Sequence, residues 1–149
     1  MNDPILTAER TARFGLPLLH VGQAQKEATL NEALALADAL LHPAVQGIAQ
    51  TPPDNPVAGE CWLVGPVPTG SWAGQADALA CFQAGIWVFV RPRAGMAIVD
   101  LSDGSRLFYR DGWQRPLLPG PVSGGAVVDQ GARDQIATVC AALRAAGLF

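Results

Sequence analysis

Ala78-Leu79-Ala80-Cys81-Phe82-Gln83, then Ala84-Gly85, then Ile86-Trp87-Val88-Phe89-Val90-Arg91 is the stretch that decides the fold class. Two runs rich in apolar, β-branched and aromatic residues flank a short break that contains glycine, which is the pattern of a β-hairpin. In the second run, alternation puts Trp87 and Phe89 on one face and Ile86, Val88 and Val90 on the other. A strand apolar on both faces has to be covered on both sides, by a helix or by another subunit. In the first run Leu79, Cys81 and Gln83 alternate with Ala78, Ala80 and Phe82, so the pattern leaves its buried face open.

Working outward, the same kind of signal repeats. Glu60 to Gly65 reads as a strand, followed by a long turn region punctuated by Pro66, Pro68, Gly70 and Gly74. Met96 to Leu101 reads as another strand, with a turn at Ser102-Asp103-Gly104, and Arg106 to Arg110 follows. Asp111-Gly112 before Trp113 predicts a type I′ turn. Short strands separated by turns imply a small antiparallel sheet or barrel as the body of an α+β fold. A faint internal echo accompanies them. Gly85-Ile86-Trp87, closing on Arg91-Pro92, and Gly112-Trp113, closing on Arg115-Pro116, both place tryptophan just after a turn glycine and Arg-Pro just beyond.

The flanks read differently. Residues 1–22 are broken by Gly15, Pro17 and Gly22, and read as an arm whose Phe14, Leu16, Leu18 and Leu19 must dock on their own domain or on a neighbouring subunit. Residues 23–41 read as a helix with an apolar stripe at Leu30, Leu34, Ala37 and Leu41, ended by Pro43. Three prolines among residues 52–56 make 51–59 a connector. Residues 116–125, with Pro116, Pro119, Pro121, Gly120, Gly124 and Gly125, read as a linker. A final helix follows, with Asp129 as N-cap and Gly147 as its stop. Ala132, Ile136, Val139, Leu143 and Ala146 fall on heptad spacing along it, a seam that either packs on its own domain or bundles with other subunits as an oligomer interface. The expected organisation is an N-terminal arm and helix (1–50), a β-rich body (51–115), a Pro/Gly linker (116–128) and a C-terminal helix (129–149).

Composition excludes several classes. Half of the residues are hydrophobic and 15% are charged, which is not the make-up of a disordered chain. A net charge of −3 with 10 basic residues, Lys26 the only lysine among them, offers no basic face for nucleic acid. No run approaches the ~18 apolar residues of a membrane span, so no membrane insertion is expected. Met1-Asn2-Asp3-Pro4 does not begin a signal peptide, which implies synthesis in the cytoplasm. Cys61, Cys81 and Cys140 are odd in number and far apart, and read as reduced thiols.

Little in the sequence suggests chemistry. His20 and His42 are the only histidines, and His42 reads as an electrostatic cap at a helix end. No zinc, P-loop or nucleophile-elbow pattern occurs. Asp100 and Asp103 flank a turn and read as turn-forming residues. No catalytic residue, metal or cofactor is expected, and the chain is not expected to be an enzyme. The aromatic residues read mainly as core. Trp72, in a loop rich in glycine and serine, is the ring most expected to be exposed and to stack on a glycan.

Taken together, several segments resemble a known family. Gly15-Leu-Pro-Leu-Leu, Gly22-Gln-Ala-Gln-Lys-Glu and Asn31-Glu-Ala-Leu resemble the opening signature of domain of unknown function 2793. The resemblance continues through Pro52-Pro, Gly59-Glu, Thr69-Gly-Ser-Trp-Ala-Gly, Gly85-Ile-Trp, Pro92-Arg-Ala-Gly-Met and Asp111-Gly-Trp. It implies a structural component of a phage-like particle, whether phage, prophage or gene transfer agent. The implied role is a head spike or tail fibre base, an adaptor that anchors a host-binding fibre to the capsid or tail. The implied partners are other copies of the chain as a homo-oligomer, capsid or tail proteins, and a spike or fibre protein. The implied location is the virion. The alternative reading is a carbohydrate-binding module that contacts host capsule or another surface polysaccharide.

Overall fold

The computed structural model describes residues 9–19, 27–117, 119–121, 123–125 and 129–148. Helix α1 (Glu27–Leu40) leads into eight short strands, and helix α2 (Gln130–Ala145) follows them. The strands are β1 (Ala44–Val45), β2 (Ile48–Ala49), β3 (Cys61–Val64), β4 (Leu79–Gln83), β5 (Ile86–Val90), β6 (Ala97–Asp100), β7 (Arg106–Tyr109) and β8 (Trp113–Gln114). The fold is α+β, as expected, but there is no closed barrel. The strands form two mixed sheets, ordered β2-β3-β4-β5 and β1-β6-β7-β8.

The two sheets share one plan. Each is an antiparallel three-strand meander with a two-residue strand added in parallel beside its first strand. The segment 44–49 supplies both additions. Leu101 N–H donates to the Val45 carbonyl on one side of Gly47, and Gly65 N–H donates to the Ala49 carbonyl on the other. Residues 44–49 therefore belong to the body and not to the N-terminal unit expected to end at residue 50. Pairs this short take their conformation from distant partners, so they leave no periodic signal in the sequence.

The β4–β5 hairpin forms where expected. Its two turn residues, Ala84 and Gly85, both have positive φ, 48° and 82°, as a type I′ turn requires. The expected type I′ turn at Asp111-Gly112 does not form. Tyr109 pairs with Trp113 across a three-residue loop, 110–112, and Gly112 is not among the residues with positive φ. The Tyr109 and Trp113 rings meet at 5.3 Å, and the Trp113 indole N–H donates to the Asp77 carbonyl at 2.8 Å. These contacts fix the register from outside the turn.

Both faces of the first sheet are covered. Cys61, Leu63, Leu79 and Cys81 join Ala39 of α1, Val45, Ile98 and Leu107 in the main core. On the other face, Val64 and Ala80 enclose Trp72, with Trp62, Trp87 and Phe89 packed around them. Trp72 is 0% exposed, because a 3₁₀ turn at Gly70–Trp72 folds the long β3–β4 connection back onto the sheet. The Trp72 and Trp87 rings meet edge to face at 5.0 Å.

Helix α1 does not bury the expected stripe. Leu30 and Leu41 are exposed, and the buried helical residues are Asp38 and Ala39. The reason is the arm. The Asp38 carboxylate accepts the Arg13 N–H at 2.9 Å and the Phe14 N–H at 2.8 Å. The Arg13 guanidinium donates to the carbonyls of Ala39 and His42, at 2.8 Å each. The cation at the helix end is thus Arg13, reached from another segment, and not His42.

Candidate functional site

The expected contact surfaces divide into one that is satisfied within the chain and one that is not. The arm is satisfied. Besides the Asp38 bonds, Leu19 N–H donates to Asn31 Oδ1 at 2.8 Å, and Asn31 Nδ2 donates to the Leu19 carbonyl at 3.0 Å. Main-chain hydrogen bonds to α1 hold the arm, and its apolar side chains contribute less than expected. Leu16, Leu18 and Leu19 are half-buried. Phe14 stays 46% exposed, with its ring 5.5 Å from that of His42. A Cβ added at Gly59 would lie 3.2 Å from Arg13 Cγ, so the arm also packs closely on the connector ahead of β3.

Helix α2 is not satisfied. Its boundaries follow the local chemistry: Asp129 accepts the Ala132 N–H at 3.0 Å, and Gly147 ends the helix at φ 67°. Yet none of its residues is buried. Within the expected seam, Leu143 is half-buried while Ala132, Ile136, Val139 and Ala146 are exposed, Ile136 at 48% and Val139 at 56%. Ile136 of the seam, with Arg133, Ala137, Cys140 and Arg144, borders a hollow of about 470 Å³ against Pro119–Pro121. A helix of this length gains most of its stability from packing, and this one has little packing inside its own chain.

The remaining candidates resolve into structure. Trp72, expected to be an exposed stacking ring, is enclosed and cannot face a glycan. Asp100 and Asp103 do shape their turn: Asp100 Oδ1 accepts from Ser102 N–H and Oγ, and Asp103 Oδ1 accepts the Ser105 N–H at 2.9 Å. Arg115 joins them, pairing with Asp100 at 2.7 Å and also with Asp103. The Ser105 N–H, with help from Arg115, holds the Asp103 carboxyl below the usual carboxylate range. Cys61 and Cys81, far apart in sequence, are directly opposed partners on β3 and β4, both buried and both free. The facing thiols act on each other: the Cys81 thiol holds Cys61 below the ordinary thiol range, and the Cys61 thiol, together with burial, pushes Cys81 up.

A groove of about 630 Å³ runs between α1 and the outer edge of β5. Ala28, Glu32 and Leu36 line the helix side, and Trp87, Phe89 and Arg91 the strand side. No motif pointed to it. The available signal was the strand Ile86-Trp87-Val88-Phe89-Val90 itself, which lacks the charge or proline that usually guards a sheet edge. Among the described residues no group of His, Cys, Asp and Glu is placed to hold a metal ion, and no helix is long and apolar enough to cross a membrane.

A family model described as a protein of unknown function (DUF2793) matches residues 30–114. The match runs from within α1 to the last residue of β8, more than half of the chain, and takes in both sheets. No curated protein matches the chain.

Proposed function

This chain belongs to the DUF2793 family, and from that premise we propose that it is a structural adaptor of a phage-like particle. It works as a homo-oligomer and anchors a spike or fibre to the capsid or tail. The observation that carries the oligomeric part is the α2 seam. Ile136 and Val139 stand on heptad spacing and remain exposed, and α2 buries no residue within the chain. A capped helix that finds little cover at home is stabilised by other copies of itself. The particle is supported by the family resemblance alone. The carbohydrate reading is the weaker alternative, because its nominated ring, Trp72, lies inside the second core.

The test is light scattering on the full chain, on a truncation at Pro119, and on Ile136→Asp and Leu143→Asp. An oligomer that the truncation and both substitutions dissociate, with the β body still folded by circular dichroism, supports the adaptor. A monomeric full chain, or an oligomer indifferent to all three changes, overturns the seam. Mass spectrometry of nuclease-resistant particles from the host tests the location. Enrichment at low, symmetric stoichiometry supports it, and absence removes the particle from the reading.

A further inference from the structure

The outer edge of β5 is open in a specific way. Among the described residues β5 is the last strand of its sheet, with β4 as its only strand partner. Gln83 and Ile86 close the two-residue turn, so residues 86, 88 and 90 direct their main-chain groups to β4. The β3 side agrees: Phe82, the partner of Trp87, spends its N–H on the Glu60 carbonyl. The N–H and C=O groups of Trp87 and Phe89 therefore point away from the sheet, into the groove walled by α1. Their spacing, two residues apart on an extended strand, is the hydrogen-bonding pattern of another extended polypeptide.

Two further observations point to a ligand. Gln83 is 7% exposed, lines the groove, and its amide nitrogen has no hydrogen-bond partner among the described residues. A buried, unsatisfied donor beside the groove is costly. Charge is unmatched as well. Arg91 follows β5 as Arg115 follows β8. Arg115 pairs with two aspartates, whereas Arg91 has no ion pair among the described residues, and neither has Glu32 on the opposite wall.

We propose that the β5 edge is a strand-addition site. Its occupant is an extended segment of a partner polypeptide, which pairs with the main chain of Trp87 and Phe89 and carries a carboxylate for Arg91 and a cation for Glu32. Arg91 and Glu32, on the two walls of the groove, ask for a segment that brings both charges. Main-chain pairing supplies affinity, and the apolar groove walls select alternate side chains. This site is independent of the α2 seam and of the particle reading, so each can fail alone.

The test uses the full chain, labelled with ¹⁵N and panned against a displayed library of random heptapeptides. The strongest peptide is synthesised with capped ends. The proposal expects it to shift the amide signals of Trp87 and Phe89 and to slow their hydrogen exchange. N-methylation of the peptide at each position facing those residues weakens binding about tenfold, the worth of one well-made hydrogen bond. N-methylation at the intervening positions has a smaller effect, and Arg91→Gln selectively weakens acidic peptides. Failure to select a peptide, or peptides that bind without moving these two amides, overturns the site. Protection of Trp87 and Phe89 that rises with protein concentration alone assigns the edge to a second copy, and shifts produced by a dextran oligosaccharide but by no peptide assign it to a sugar. Either result overturns the proposal.

Discussion

The two meanders of the body are built alike and finished differently. Each opens with a strand that takes a two-residue parallel partner, and each closes with a hairpin bearing an aromatic pair across its last two strands. Phe82 and Trp87 meet at 5.0 Å in one, Tyr109 and Trp113 at 5.3 Å in the other. An arginine follows each closing strand. The first meander is held by apolar enclosure, with a long β3–β4 connection that lays Trp72 over its outer face. The second has only a short β6–β7 turn, and is tied by charge, through Asp100, Asp103 and Arg115. The difference teaches that one sheet plan can be completed by a hydrophobic plug or by an ionic clamp. It also isolates Arg91, the arginine whose clamp is missing.

The largest expected effect tests the plug. Trp72→Ala should cost about 3–5 kcal/mol, the range for emptying a large aromatic site, read as a lower urea midpoint. Trp113→Ala removes a half-buried ring and one hydrogen bond, and should cost less, about 2 kcal/mol. Equal losses would mean that both meanders depend on aromatic burial to the same degree, and the contrast drawn above would fall.

The next effect tests the clamp. Arg115→Ala leaves the buried Asp100 carboxylate with Ser102 alone, and should cost about 1–2 kcal/mol. That is below the value for a fully buried pair, because the arginine side chain is 36% exposed. Arg91→Ala, with no ion pair among the described residues to lose, should stay within about 0.5 kcal/mol. A matching loss at Arg91 would show that it is already paired in the free chain, and would remove one support from the strand-addition site.

A smaller effect gives the clamp its pH signature. The folded-state pKa of Asp103 is depressed, so its contribution is present above the ordinary carboxylate pKa, about 3.9, and fades as pH falls through the folded value. The advantage of the wild type over Asp103→Asn should therefore shrink between about pH 5 and about pH 3 in urea titrations. Trp72→Ala should carry a penalty that does not vary with pH over that interval, since no titrating group is removed. An Asp103→Asn penalty constant with pH would show that the clamp works by shape and not by charge.

What could be read in advance follows the same division between local and distant causes. The stops of α2, Asp129 and Gly147, act on adjacent main-chain groups, and both sit where the sequence put them. The β4–β5 hairpin is likewise local. Trp72 reads as exposed because a loop of glycine and serine looks open until the sheet beneath it is known. Asp38 carries no local signal, because an aspartate in a helix reads as solvated and only the arm, more than twenty residues upstream, supplies the two N–H groups it accepts. Cys61 and Cys81 meet only through the register of β3 on β4. The groove exists only because α1 stands off the edge of β5, an arrangement with no local cause.

The smallest effect separates the two hairpin turns. Ala84 holds φ 48°, a conformation that costs a residue with a Cβ about 1 kcal/mol. Asparagine tolerates it better, and Asn-Gly is the preferred type I′ pair. Ala84→Asn should therefore stabilise the chain by about 0.5–1 kcal/mol, while Gly85→Ala should destabilise it by about 1 kcal/mol through φ alone, since a Cβ there meets nothing within 4 Å. Gly112→Ala is the control in the other hairpin. Its φ is not positive and its surroundings are equally open, so thermal unfolding should move little. If Gly112→Ala cost as much as Gly85→Ala, the three-residue loop would depend on its glycine as the type I′ turn does. The register of β7 and β8 would then come from the turn, and not from the rings of Tyr109 and Trp113.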